Sequence, residues 1–382
     1  MTIASDVKDL AGNPMTANKT WVFSTVTQPT AAPTSPASGS TDVALNQPIM
    51  ASFSKDMDSA TISSLTFTVV GPGGVPVSGE VTFDPVTRVA TFNASPTNFI
   101  ASTIYTATIA SGAKDVAGNP MLLNCTWTFT TGMRTLAKPA VLGAAALFGV
   151  TGGGAGMTNT GNSTVVTGDI GTTGAATTVT GFHDSVLIYT ETGANIGTVS
   201  GLIYTATTPS GPGAMASATA GINDAQTAYN NLSPASLPGG INIVTAYGGA
   251  AGELGGRTLF PGIYKATAPT TYAITGDNLT LDAQGDPNAV WVFQIGSTLT
   301  VGDTASRSVI LINGAQAKNV YWQVGSAATI NAVGGGTMVG TIISTTGVTF
   351  STAGNVAITT LNGRALGLTA AVTLVNTVIT VP

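Results

Sequence analysis

Val339-Gly-Thr-Ile-Ile-Ser-Thr-Thr-Gly-Val-Thr349 reads as an apolar strand, a corner of small residues and a second short strand ending in threonine. The same order recurs in Trp291-Val-Phe-Gln-Ile-Gly-Ser-Thr-Leu-Thr300, Tyr321-Trp-Gln-Val-Gly-Ser-Ala-Ala-Thr329 and Asn362-Gly-Arg-Ala-Leu-Gly-Leu-Thr-Ala-Ala-Val-Thr373. The terminal threonines stand 29, 20 and 24 residues apart. Short strands and small-residue corners repeating every 20–30 residues or so specify a parallel β-solenoid. Successive coils then lie about 4.7–4.9 Å apart, and alternate residues of a strand share a face. Superposing the coils sends Leu299, Ile330, Val348 and Val372 toward the interior, although Ile330 follows its threonine and the others precede theirs. Thr298, Thr300, Thr329, Gly347, Thr349, Ala371 and Thr373 then face outward.

One stretch breaks the β pattern. Apolar positions at Met215, Ala218, Ile222, Ala225, Tyr229 and Leu232 fall in steps of three and four, bounded by Pro212 and Pro234. That spacing predicts an amphipathic helix over about 214–232, its stripe buried along one flank of the solenoid. The longest uncharged apolar run, Ala140–Val150, is too short to span a bilayer and is expected to be a buried strand.

Composition narrows the chemistry. Only 8% of the 382 residues are charged, against 43% hydrophobic and 48 glycines, which fits an ordered all-β chain with glycine turns. The net charge is −5 and the basic residues are scattered, so nucleic acid is not an expected partner. The single cysteine, Cys125, excludes an internal disulfide and a thiolate metal cluster, and reads as a small core residue. With one histidine, His183, and widely spaced acids, no catalytic, cofactor or metal site is expected. Asp282 and Asp286 are the one close acidic pair of the solenoid, and Asp286-Pro287 reads as a turn.

The front of the chain carries a different repeat. Lys8-Asp-Leu-Ala-Gly-Asn-Pro-Met15 returns as Lys114-Asp-Val-Ala-Gly-Asn-Pro-Met121, and Trp21-Val-Phe23 as Trp127-Thr-Phe129, both at an offset of 106 residues. Ala-Gly-Asn-Pro is a turn, and Trp127 and Phe129 alternating with Thr126, Thr128 and Thr130 form a half-buried strand. Further strands are expected at Pro48–Phe53, Leu65–Val70, Glu80–Phe83, Val89–Phe92 and Ile104–Ile109, enough for an immunoglobulin-like sandwich. Gln28–Gly39, rich in Pro, Thr and Ser, reads as a linker. Asp115 and Asn119 read as turn-stabilising in preference to calcium ligands.

Two resemblances rest on these residues. Val43–Thr131, with Phe53-Ser-Lys-Asp-Met-Asp58, Tyr105-Thr-Ala-Thr108, the Asp115 turn and the terminal Trp127 strand, resembles bacterial Ig-like modules of surface proteins. Leu142–Pro382 resembles the microbial β-solenoid ice-binding proteins. That likeness is carried by Thr167-Gly-Asp-Ile-Gly171, Thr180-Gly-Phe182, the helix, Leu259-Phe-Pro-Gly-Ile-Tyr-Lys265 and Val290-Trp-Val-Phe-Gln-Ile295, and further on by Gly314-Ala-Gln-Ala-Lys-Asn-Val-Tyr-Trp-Gln-Val324 and Leu361-Asn-Gly-Arg-Ala365. The resemblance implies a right-handed solenoid of triangular section with one flanking helix, binding ice through a flat face of loosely repeated Thr-small-x-Thr elements. Thr346-Gly347-Val348-Thr349 matches that form, and Ala370–Thr373, Ser326–Thr329 and Ser297–Thr300 are relaxed versions.

The candidate ice contacts are accordingly Thr298, Thr300, Thr329, Thr345, Gly347, Thr349, Thr369, Ala371 and Thr373. The expected organisation is a remnant of a preceding Ig-like repeat over 1–27, an Ig-like β-sandwich over 28–132, a linker over 133–139 and the solenoid over 140–382. Expected partners are the ice lattice and further Ig-like modules of a longer chain, without membrane insertion. The expected location is secreted or cell-surface, with any signal sequence in a missing N-terminal part. The competing reading is a surface adhesin whose solenoid binds glycan or protein and whose Ig-like module is a spacer, for which exposed aromatics would be the sign; Trp291 and Trp322 sit in apolar strands and are expected to be buried.

Overall fold

The computed structural model describes residues 1–23, 25–95, 99–132, 136–207, 213–243, 252–266 and 271–382. Pro212 and the boundary residues Met133–Thr135 lie outside the described residues. Two compact units form, Met1–Gly132 and Met133–Pro382.

In the first unit, a four-stranded sheet (Ala31–Ser35, Ile49–Phe53, Val89–Ala94 and Gly79–Asp84, in that order) faces a three-stranded one (Phe67–Val70, Ile104–Ile109 and Cys125–Thr130). Both are antiparallel. Alternation does what period-two patterning dictates: Ile49, Ala51 and Phe53 point inward, and Trp127 and Phe129 pack among Phe67, Phe99 and Tyr105. Gln28–Gly39 is not simply a linker, because Ala31–Ser35 pairs with Ile49–Phe53 as an edge strand. An edge position tolerates Pro33, which explains why the composition looked like linker. The Asp115 carboxylate accepts from the Ala117 and Asn119 amides and from Asn119 Nδ2, and these bonds hold its pKa below the usual range. Cys125 is half-buried against this core, and desolvation pushes its thiol pKa up.

The second unit is a parallel solenoid with three ladders of strands. Two of its strands, Thr337–Ser344 and Thr359–Gly367, turn a corner, giving their first halves to one ladder and their second halves to the next. Gly340 permits this bend: its φ is +95°, and a Cβ would lie 2.4 Å from the Val320 carbonyl.

Coil order differs from chain order. The chain starts in the middle of the stack at Phe148–Gly152 and steps outward through Asp169–Gly171 and Ile203–Tyr204. The helix Ala214–Leu232 then intervenes, and the chain resumes at Ile241–Asn242 at the other end. It winds back through Gly262–Lys265, Trp291–Ile295, Val320–Val324 and Thr341–Ser344 until Ala365–Gly367 pairs with Val150–Gly152. The last coil thus closes on the first.

The helix explains the apolar strands beside it. Trp291–Ile295 and Val320–Val324 are buried at every residue, because one side fills the solenoid and the other lies under the helix. Val292, Tyr321, Ile343 and Leu366 meet Ala225, Ala228 and Leu232 there. Gln294 Nε2 donates to the Leu232 and Leu237 carbonyls at 2.9 and 2.7 Å, closing the helix C-terminus. The buried stripe is Ala214, Ala218, Gly221, Ala225, Ala228 and Leu232, rotated from the predicted one, and Met215 is 52% exposed. Close approach to the sheet selects small residues: a Cβ on Gly221 would stand 2.5 Å from the Phe148 ring.

Ala140–Val150 is not one buried strand. Gly143–Leu147 is a 3-10 turn with Leu147 exposed, and the strand begins at Phe148. The turn is fixed by hydrogen bonds that apolarity does not announce. Asp224 on the helix accepts from the Ala144 amide, and the buried Arg364 donates through Nε and Nη2 to the Ala146 carbonyl.

Candidate functional site

The helix covers one ladder. A second is built of short strands: Tyr272–Ile274, Leu299–Val301, Ala328–Ile330, Val348–Phe350, Val372–Leu374, Met157–Asn159 and Val179–Thr180, in that spatial order. All pair in parallel, and their outward residues stand in one unbroken register: Ala273, Thr300, Thr329, Thr349, Thr373, Thr158 and Thr180. Six threonines on successive coils make a row about 24 Å long at the β-ladder spacing. In each three-residue strand both neighbours of the outward residue are buried, as with Leu299 and Val301 or Val348 and Phe350. The floor under each threonine is therefore anchored from both sides, and its β-branch restricts the rotamer.

A second row lies two residues upstream of the first: Thr271, Thr298, Ala327, Gly347, Ala371, Gly156 and Thr178. Its coils remain hydrogen-bonded, Tyr272 N to Thr298 O, Leu299 N to Ala327 O, Ala328 N to Gly347 O and Val372 N to Gly156 O, at 3.0–3.3 Å. Small side chains in the middle, with threonine toward each end, leave a shallow trough beside the threonine row. Neither row holds an ionisable side chain. At Gly347 a Cβ would lie 2.3 Å from the Ala371 carbonyl of the next coil, so the trough is enforced by backbone approach. Gly347→Ala is expected to cost about 1–3 kcal/mol by overpacking, read as a lower midpoint in urea or heat. An unchanged midpoint would mean that the coils separate here without cost.

Of the residues picked out from sequence, Thr300, Thr329, Thr349 and Thr373 stand in the first row, and Thr298, Gly347 and Ala371 in the second. Thr345 and Thr369 stand apart at the neighbouring corner. Thr345 Oγ1 donates to Gly325 O at 2.6 Å and Thr369 Oγ1 to Thr345 O at 2.5 Å, so both hydroxyl protons are used in stitching coils together. The uneven register at Ile330 also resolves. Ala328 occupies the inner position held elsewhere by Leu299, Val348 and Val372, while Ile330 pairs with Val301 and Phe350. Thr158 and Ala273 carry no sequence signal of their own, and Thr180 reads from sequence as a corner residue and not as part of the face. Thr158 and Thr180 belong to coils that precede the helix, so the spacing of the later repeats does not reach them.

The other titratable groups do not converge on this surface. His183 Nδ1 sits 2.7 Å from Glu191 Oε1 on a hairpin that pairs with a different ladder. Trp291 and Trp322 are fully buried, so they offer no stacking platform for a sugar. Among the described residues no cluster of three or more His, Cys, Asp or Glu side chains could hold a metal, and no helix is long and apolar enough to cross a membrane.

A family model described as ice-binding-like matches residues 151–380, which include every strand of the threonine ladder. The chain belongs to this ice-binding family. A second model, for a bacterial Ig-like domain, matches residues 26–131. An ice-binding protein of Nostoc sp. (strain HG1) is 38% identical over 238 residues, covering 62% of this chain and 72% of that protein. Ice-binding protein K3-B1 of Typhula ishikariensis is 35% identical over 204 residues, covering 50% and 74%. Among solved structures, a domain of ice-binding protein 1 from Shewanella frigidimarina superposes with a TM-score of 0.52 at 30% identity, covering 64% of this chain and 98% of that one. The family is non-enzymatic.

Proposed function

We propose that this chain adsorbs to ice through the threonine row and its trough, slowing crystal growth and recrystallisation or holding a cell at ice. Ice binding as such follows from family membership. The observation that carries the choice of face is the register of Thr300, Thr329, Thr349, Thr373, Thr158 and Thr180.

Ice presents neither charge nor pocket, only a lattice of water. A surface that recognises it must be stiff, planar and free of charges that would hold disordered hydration. Each threonine methyl arranges water around it, and each hydroxyl anchors that water as donor or acceptor. Along the row the side chains repeat at about 4.7–4.9 Å, and the two rows lie about 6.6–6.8 Å apart. Both distances lie near repeats of the ice lattice. Because the ladder is already ordered, little conformational entropy is lost on adsorption. The match to a bacterial Ig-like domain supports a secreted or cell-surface setting in which that module is a spacer.

The test is partitioning of a fluorescent fusion of the full chain into a slowly growing ice hemisphere. Enrichment over a fluorescent-protein control is expected, and exclusion from the ice defeats the reading. Since neither row carries an ionisable group, enrichment should stay constant between about pH 5 and pH 9. A severalfold fall inside that window would place a titrating group in the contact.

A further inference from the structure

Residues 1–23 repeat the end of the Ig-like module in structure as well as in sequence. The match extends upstream of Lys8, since Thr2-Ile3-Ala4-Ser5 stands 106 residues before Thr108-Ile109-Ala110-Ser111. Thr2 pairs with Thr20 and Ile3 with Lys19, the same register in which Thr108 pairs with Thr126 and Ile109 with Cys125. The Asp9 carboxylate accepts from the Ala11 and Asn13 amides and from Asn13 Nδ2, reproducing the bonds of Asp115. Only the cover differs. Trp21 and Phe23 are 40% and 62% exposed, whereas Trp127 and Phe129 are 3% and 1% exposed.

A second apolar surface lies where the chain enters the Ig-like module. A groove of about 400 Å³ runs between Pro29–Ala31 and Met121–Thr126. Leu122 and Leu123 on its rim are 68% and 74% exposed. The incoming chain is fixed at this end: Lys55 Nζ donates to the Thr27 carbonyl, and the Ser54 amide donates to Thr30 O.

Linker length ties the two surfaces together. At the 106-residue offset Thr25 corresponds to Thr131, the residue that bridges to Val43 at the end of the module. From Thr25 to the anchored Thr30 the chain makes five steps, at most about 17 Å when fully extended. A module ending at Thr25 is therefore held within about 17 Å of that anchor, near enough for its end to seat on the groove.

We infer that residues 1–23 are the closing hairpin of a preceding Ig-like module, and that this module seats its end on the Leu122–Leu123 groove. This junction is then semi-rigid and not a free hinge. Burying Leu122 and Leu123 at this junction favours docking over a flexible tether, whereas the preceding copy has Thr16 and Ala17 at the equivalent positions.

The repeat supplies its own test. A copy of residues 28–106 fused directly ahead of Met1 of the full chain restores the missing strands in register. Backbone hydrogen exchange is compared between the extended and the original chain, with a shuffled 28–106 prefix as control. In the extended chain, amides of residues 19–23 and of 121–124 should both slow by at least about tenfold. Leu122→Ser with Leu123→Ser should then undo the second effect and leave the first. Slowing at 19–23 alone overturns the docked interface, because the modules are then merely tethered. No slowing at 19–23 overturns the hairpin assignment, and slowing under the shuffled prefix overturns both.

Discussion

Replacing Thr349 and Thr373 together by tyrosine is expected to abolish ice adsorption while leaving the circular dichroism spectrum unchanged. The two residues are partners in adjacent strands near the middle of the row. A tyrosine ring at each rises several ångströms above the plane set by the methyl and hydroxyl groups of Thr300, Thr329 and Thr158. Ice cannot conform to two such projections, so the rest of the row is held off the lattice. The fold has little reason to respond. Both side chains point to solvent, while Val348, Phe350, Val372 and Leu374 beneath them are untouched. Loss of at least tenfold in ice affinity, about 1.4 kcal/mol or more, is expected from ice-partitioning titration. Tyrosines at Thr360 and Val378, which are neighbours in the third ladder, give the control for face selection. If they abolish adsorption and the Thr349 and Thr373 pair does not, ice meets a different face. Equal loss from both pairs would mean that bulk anywhere on the solenoid interferes, and the row would lose its special standing.

The sequence was legible where local chemistry repeats and opaque where coils are joined across long stretches of chain. Thr300, Thr329, Thr349 and Thr373 could be aligned because each ends a strand–corner–strand unit of similar make-up. The helix is legible from its steps of three and four, but its buried face is not. Hydrophobicity favours Met215 and Ile222, whereas a helix pressed onto a sheet needs Gly221 and Ala228 at the contact. Thr158 and Thr180 were hidden for a topological reason. The coil bearing Thr158 pairs with the one bearing Thr373, some 200 residues later, and spacing along the chain carries no trace of that closure. The corner threonines show the converse limit. Thr345 and Thr369 match the composition of the face, but their hydroxyls already donate to carbonyls of neighbouring coils, which only the hydrogen-bond geometry reveals.

A flat outer row depends on a core that cannot shift, and this makes Trp322→Ala the most damaging single change expected in the solenoid. Tyr264, Phe293 and Trp322 occupy equivalent positions on three consecutive coils. Phe293 and Trp322 stack with centroids 4.0 Å apart and planes 8° apart, and Tyr264 stacks on Phe293 at 5.5 Å. Trp322 Nε1 also donates to the Val339 carbonyl at 2.8 Å, tying this coil to the next. Truncation to alanine removes the largest kind of side chain from a site with no exposure and deletes the bond to that carbonyl. Large aromatic-to-alanine changes cost about 3–5 kcal/mol, and the lost hydrogen bond about 0.5–1.5 more. For a unit of this size each kcal/mol moves the melting midpoint by about 2–4 °C, so a fall of roughly 10 °C or more is expected in calorimetry. Trp322→Phe keeps the stack and loses only the indole donor, so its fall should be much smaller. Ice adsorption in the cold should then follow the folded fraction in both variants, because neither change touches the outer row. If Trp322→Ala melts like the parent chain, the aromatic stack does not hold the coils together. If it stays folded at low temperature but fails to adsorb, the row's planarity is set by the core more directly than its own anchoring residues suggest.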